Sequence, residues 1–144
     1  MNYNAGRAFA ERKDSNIEML GHQKICEVKE SYFKDALLNY ERCLSTRTKL
    51  YGEKSFAVAD TYNNIAMVYE AMGDFNAAFD KYQASKEIYE STEGENRLQV
   101  FTLNNNMGNL CKDFNKYNQA LGFFKKAKST CAELQDFDRR QSKQ

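Results

Sequence analysis

Asn63-Asn64 and, 42 residues later, Asn105-Asn106 are the residues whose type and spacing best suit recognition chemistry. A carboxamide carries both donors and an acceptor. A row of them on neighbouring helices can therefore pair with the N–H and C=O groups of an extended peptide whatever its side chains. Met67 follows the first pair as Asn109 follows the second, and Glu70 is matched by Lys112. The candidate peptide-binding groove is thus Asn63, Asn64, Met67, Asn105, Asn106, Asn109 and Lys112. Such an amide has a competing use, which is to bond the adjacent helix. Lys112, with Lys116, can clamp an acidic side chain or a terminal carboxylate, or can simply remain a solvated lysine. His22 and Lys24 would extend the groove only if the first helix keeps register.

Catalytic and metal chemistry lack their residues. The chain has one His, no Gly-rich phosphate loop and no H-E-x-x-H. The four Cys, at 26, 43, 111 and 131, form no C-x-x-C pair, so they read as reduced core thiols, with no cofactor and no metal expected.

The elements that must position the amides follow from a repeat. Thr61–Tyr69 is echoed by Leu103–Cys111, and the same step of 42 joins Phe33, Phe75 and Tyr117, then Ala36, Ala78 and Ala120, then Tyr40, Tyr82 and Phe124. Gly52-Glu53 and Gly94-Glu95 repeat as well, with Val58 and Val100 behind them. Self-similarity at such a period marks a stacked solenoid, because one unit cannot bury its own apolar face. The spacing predicts a helix over Phe56–Met72 capped by Ser55, a break at Gly73-Asp74, and a helix over Phe75–Ser91. A loop at Thr92–Asn96 containing Gly94 follows, then helices over Arg97–Asp113 and Tyr117–Leu134. The first B helix becomes Phe33–Tyr51. Ala66, Gly108, Ala78 and Ala120 are small where two backbones must approach.

The first A helix fits this frame poorly: 42 residues before Ala66 and Tyr69 stand Lys24 and Glu27. Leu20-Gly21 could supply the close-packing glycine instead, with about three extra residues before Phe33. The domain division is an arm or extra helical turn over 1–16, a repeat domain over 17–134 (17–54, 55–96 and 97–134), and a polar tail over 135–144 expected to fray. The open last repeat can self-associate or continue in a longer parent chain.

With 28% charged residues, no Pro, 7 Gly and a mean hydropathy of −0.78, the 144-residue chain is expected to be mostly helical with a very polar surface. Its longest apolar run is Ile65–Tyr69, too short for a bilayer, so a cytoplasmic location and no membrane partner are expected. Lys112, Lys116, Lys125, Lys126 and Lys128 lie among aromatics, as in single-strand binders. Those aromatics keep core spacing, however, and a net charge of +1 gives no global field for nucleic acid, so no nucleic-acid partner is expected.

The run Tyr62-x-x-Ile65-Ala66-x-x-Tyr69 followed by Gly73-Asp74-Phe75-x-x-Ala78-Phe79-x-x-Tyr82 resembles the tetratricopeptide repeat family. The resemblance covers Phe33–Cys131 and, more weakly, the chain from Ile17. The 42-residue period, with Thr61–Ala66 and Lys86-Glu87-Ile88-Tyr89, is similar to the longer-period subclass of kinesin light chains. Two departures are the absence of His-Pro in the inter-repeat loops and Asn109 in place of an apolar residue after Gly108. The resemblance implies an all-α, right-handed α-solenoid of about three helix-turn-helix repeats, with Asn64 and Asn106 matching the family's ligand-contacting Asn. It also implies a non-catalytic adaptor or scaffold that binds a protein or acidic peptide. The alternative is an assembly subunit, for example cytoskeletal or motor-associated, held by its convex faces and open ends.

Overall fold

The computed structural model describes residues 3–92 and 96–143, with side chains from residue 18 onward; most of the expected loop Thr92–Asn96, including Gly94, lies outside the described residues. Five helices follow in order: α1 (Tyr3–Tyr51), α2 (Phe56–Met72), α3 (Phe75–Ser91), α4 (Arg97–Asp113) and α5 (Tyr117–Gln141). The architecture is all-α, and α2–α3 and α4–α5 are successive hairpins of an α-solenoid.

Local chemistry sets these boundaries. Ser55 Oγ accepts from Val58 N at 3.3 Å and starts α2, and Asp74 Oδ1 accepts from Ala77 N at 3.1 Å and starts α3. Between them Gly73 takes a left-handed φ of 80°. Its N–H donates to Glu70 O at 3.0 Å, and Asp74 N–H donates to Tyr69 O at 2.9 Å, satisfying carbonyls that the helix end would leave unpaired. One repeat later Asn115 is left-handed, with φ 60°, and its N–H donates to Lys112 O at 3.0 Å. Lys116 N–H then donates to Cys111 O at 2.8 Å, so the bonding pattern shifts by one period. Asn is the side chain best able to replace Gly there.

The compact unit Leu37–Gln144 holds the core. Val58, Ala59, Ala66, Ala78, Tyr82, Leu103, Met107 and Leu110 are buried together. Phe75 stacks on Phe79 at 5.7 Å and meets Phe114 at 5.4 Å, while Phe79 meets Phe123 edge-on at 5.9 Å, which joins one hairpin to the next. Arg47 ties the end of α1 to α2, donating to Ala57 O at 3.0 Å and Thr61 Oγ1 at 2.9 Å. In the last repeat Tyr117, the counterpart of half-buried Phe75, is exposed.

At the first repeat and at the tail the structure departs from the sequence frame. The sequence frame placed a turn before Phe33, yet α1 runs unbroken through it. The physical reason is visible 42 residues before Gly73-Asp74: Ser31-Tyr32 offers no residue suited to a left-handed φ, and no Gly or Pro lies between Gly21 and Gly52. In the unit Met1–Ala36 the helix exposes Met19, Leu20, Ile25, Val28 and Tyr32, and Lys34 pairs with Glu30 at 2.9 Å. The span 1–16, expected as an arm or added turn, belongs to α1 from Tyr3. The tail expected to fray from Gln135 continues α5 to Gln141, where half-buried Phe137 shares a cleft with Arg97 of α4.

Gly108 shows how tight the α4–α5 joint is. A Cβ built there would lie 2.6 Å from Phe124 Cε1 and 2.8 Å from Cδ1. A Gly108→Ala change gains about 1 kcal/mol of helix propensity but overpacks at a cost of about 1–3 kcal/mol. Urea unfolding should show net destabilisation of about 1 kcal/mol, and a Phe124→Leu background should make the same change neutral or stabilising.

Candidate functional site

The turn at Gly73 and the matching turn at Asn115 hold α2 and α4 in equivalent places, which brings the two Asn pairs side by side. Asn106 Nδ2 donates to Asn63 Oδ1 at 3.3 Å across the two helices. Asn63, Asn64, Asn105 and Asn106 are half-buried, whereas Met67, Asn109 and Lys112 are exposed. The Asn63–Asn106 bond uses one donor and one acceptor, so each amide keeps hydrogen-bonding capacity for a ligand. The interhelical use of the amide is therefore realised for this pair, and Asn64 and Asn105 flank it. Lys112 Nζ lies 4.0 Å from Asp113 Oδ1, both side chains being more than half exposed, an arrangement that holds the ammonium only loosely. Glu70, the counterpart of Lys112, is half-buried and its carboxylate is engaged by the core: Tyr82 OH donates to Glu70 Oε2 at 2.6 Å.

Concave space lies beside the joints between repeats. A cleft of about 830 Å³ is lined by Leu44, Thr48, Val58, Tyr62, Ala84 and Ile88, with Glu41, Lys49, Glu53, Lys54 and Glu87 on its charged margins. A second cleft, of about 550 Å³, is lined by Lys86, Asn104, Lys125, Lys126, Ser129 and Thr130 together with Glu90 and Val100. Asn104 is not among the groove residues expected from the sequence, which in this repeat begin at the doubled Asn that follows it. The signal was present: 42 residues earlier stands the core aromatic Tyr62. Asn104 is 2% exposed, and among the described residues its Oδ1 has no hydrogen-bond donor.

No group of three His, Cys, Asp or Glu among the described residues could hold a metal ion, and no described helix is long and apolar enough to cross a membrane. Burial of Cys111 pushes its thiol up, against the lowering effect of Lys116.

Two buried phenols make the site's scaffold sensitive to alkali. Burial pushes the Tyr82 hydroxyl well above its ordinary value of 10.0, and the hydrogen bond to Glu70 and its charge add to the rise. Tyr89 is raised in the same way by burial, then by Asp60, to which its hydroxyl donates. The folded state therefore keeps protons that the unfolded chain releases near pH 10, so this stabilisation is complete below about pH 10 and declines above it. Denaturation midpoints should stay level to about pH 9 and fall beyond about pH 10. Tyr82→Phe and Tyr89→Phe should each flatten the fall.

The tetratricopeptide repeat profile matches residues 33–91 and 57–131. The clustered mitochondria protein homologs of Culex quinquefasciatus and Aedes aegypti are each 35% identical over 82 residues. That alignment covers 57% of this chain but only 6% and 5% of those much longer relatives. Among solved structures, BtubC (BKLC) from P. vanneervenii shares the fold with a TM-score of 0.66 at 24% identity, over 72% of this chain and 41% of that one. The matched residues span both hairpins and the end of α1, and the chain belongs to the tetratricopeptide repeat family, whose repeats generally serve as protein-interaction modules.

Proposed function

We propose that the chain is a non-catalytic adaptor or scaffold module that captures an extended peptide segment along α2 and α4. The observation that carries this reading is the bridged amide pair Asn63–Asn106, flanked by Asn64, Asn105 and the exposed Asn109. Packing does not require five amides on these two helices, since the core positions between them are already filled by Ile65, Ala66, Met107 and Gly108. Held by one mutual bond, the pair is pre-ordered, which lowers the entropy that binding must overcome. Met67 adds an adaptable apolar contact and Lys112 favours acidic ligands. The exposed apolar residues of Met1–Ala36, and Tyr117 in the last repeat, favour a second role as an assembly piece that self-associates through its ends.

The test is an array of extended peptides of varied sequence. Binders selected by the parent chain should lose about tenfold or more affinity, about 1.4 kcal/mol, for Asn64→Ala/Asn106→Ala. The double variant must retain the parent's helical circular dichroism. Unchanged affinity would remove the groove mechanism. Light scattering over a concentration series separates the assembly role, which requires a concentration-dependent dimer.

A further inference from the structure

The two clefts are the same place in successive repeats. Adding one period of 42 to Leu44, Thr48, Val58 and Tyr62 gives Lys86, Glu90, Val100 and Asn104, and adding it to Ala84, Glu87 and Ile88 gives Lys126, Ser129 and Thr130. Only the valine is kept. Where the first cleft carries Leu44, Tyr62, Ala84 and Glu87, the second carries Lys86, Asn104, Lys126 and Ser129: a cation, an amide, a second cation and a hydroxyl. Packing does not demand the two lysines and the amide, because the first cleft holds Leu44, Ala84 and the ring of Tyr62 at those positions.

The exchange leaves two groups incompletely matched. Lys86, with a side chain only 8% exposed, has Glu90 at 3.6 Å, and Glu90 is half exposed. It shares the Phe123 ring with Lys126, the two ammonium nitrogens lying 5.9 and 5.4 Å from the ring centroid. With Lys125 in the same lining, three ammonium groups face the single carboxylate of Glu90. Buried cations normally have full partners. Asn104, a residue of the same lining, carries a buried Oδ1 acceptor without a donor among the described residues, although such atoms are rarely left unpaired. A ligand that completes the site must therefore bring oxygen acceptors for the lysines and an N–H or O–H donor for Asn104.

We propose that the cleft between α3, α4 and α5 binds an acidic stretch of a partner polypeptide. Its carboxylates, or the phosphate of a modified serine, engage Lys86, Lys125 and Lys126, and its main-chain N–H donates to Asn104. Nucleic acid suits the site less well, because the lining holds no aromatic ring on which a base could stack, and the nearby Phe123 is packed edge-on with Phe79 and already carries two ammonium groups. Asn104 and Asn106 are about 200° apart around α4, so this site is distinct from the amide pair proposed above and stands or falls without it.

The probe is a fluorescent deca-glutamate peptide, followed by anisotropy with the full chain at low salt. A second probe contains phosphoserine at alternate positions, and a third is an oligouridine of similar charge. The deca-glutamate peptide should bind the parent and the Asn64→Ala/Asn106→Ala variant alike. Lys125→Ala/Lys126→Ala should weaken it about tenfold or more, whereas Lys128→Ala, which removes a neighbouring cation outside the cleft, should not. Asn104→Tyr restores the residue of the preceding repeat, so it should fold, fill the cleft and abolish binding. Tighter binding of the phosphoserine probe would make phosphate the preferred oxyanion, and equal or weaker binding would make it carboxylate. The proposal is overturned if neither peptide binds, if Lys128→Ala or the groove variant weakens binding as much as the cleft variants do, if Asn104→Tyr binds normally, or if oligouridine binds more tightly than both peptides.

Discussion

At the α4–α5 joint there is no room for a methyl group at Gly108: the ring of Phe124 already occupies that space. The rest of the repeat stack depends on this close approach. It brings the two helices of a hairpin near enough for Met107 and Leu110 to be excluded from water, and the preceding hairpin achieves the same with Ala66 and Ala78, both fully buried. Once two backbones are that close, ridge-and-groove packing leaves little freedom in how the next hairpin docks. The Phe75, Phe79, Phe114 and Phe123 cluster then continues the core from one repeat into the next. Small residues in the middle of a helix and large rings on its neighbour are thus two halves of one constraint.

The constraint is met only where the chain can reverse tightly. Gly73 and Asn115 each accept a left-handed backbone and close the helix end with the same pair of hydrogen bonds. The corresponding Ser31-Tyr32 does not, and the helix continues. A solenoid frame inferred from core spacing alone therefore overreaches at its first unit. Apolar periodicity says which face of a helix is buried; turn chemistry says whether the helix stops.

That distinction explains what was legible in the sequence. The spans of α2, α3 and α4, the Ser55 cap and the small-residue positions could be read, because each is a local preference agreeing with the 42-residue period. The unbroken α1 was not legible from the period, which continues through Phe33 while the residues that would stop the helix are missing at Ser31-Tyr32. At the site, the proximity of the two Asn pairs was legible from the repeat, but the Asn63–Asn106 bond was not. Bonding between side chains on different helices depends on interhelical distances to a few tenths of an ångström, which no periodicity encodes. Asn104 was missed for another reason: attention to residues the repeats share passes over the position where they differ.

Differences between repeats are informative because the backbone is held constant. The stack supplies each repeat with the same cleft, bounded by successive B helices and the A helix between them, and Val58 and Val100 mark its unchanged floor. Against that fixed frame, an amide in place of a core aromatic carries a definite cost: burial of an unpaired acceptor opposes folding by about 1–3 kcal/mol. A neighbouring apolar solution already exists at Tyr62, so a polar replacement that weakens the core needs a compensating use. A bound donor recovers the lost hydrogen bond and, with it, links occupancy of the cleft to the stability of the α3–α4–α5 joint. A ligand on one face of α4 would thus tighten the same helix that carries Asn105 and Asn106 on the other, which gives two chemically distinct surfaces a shared mechanical element without any change of fold.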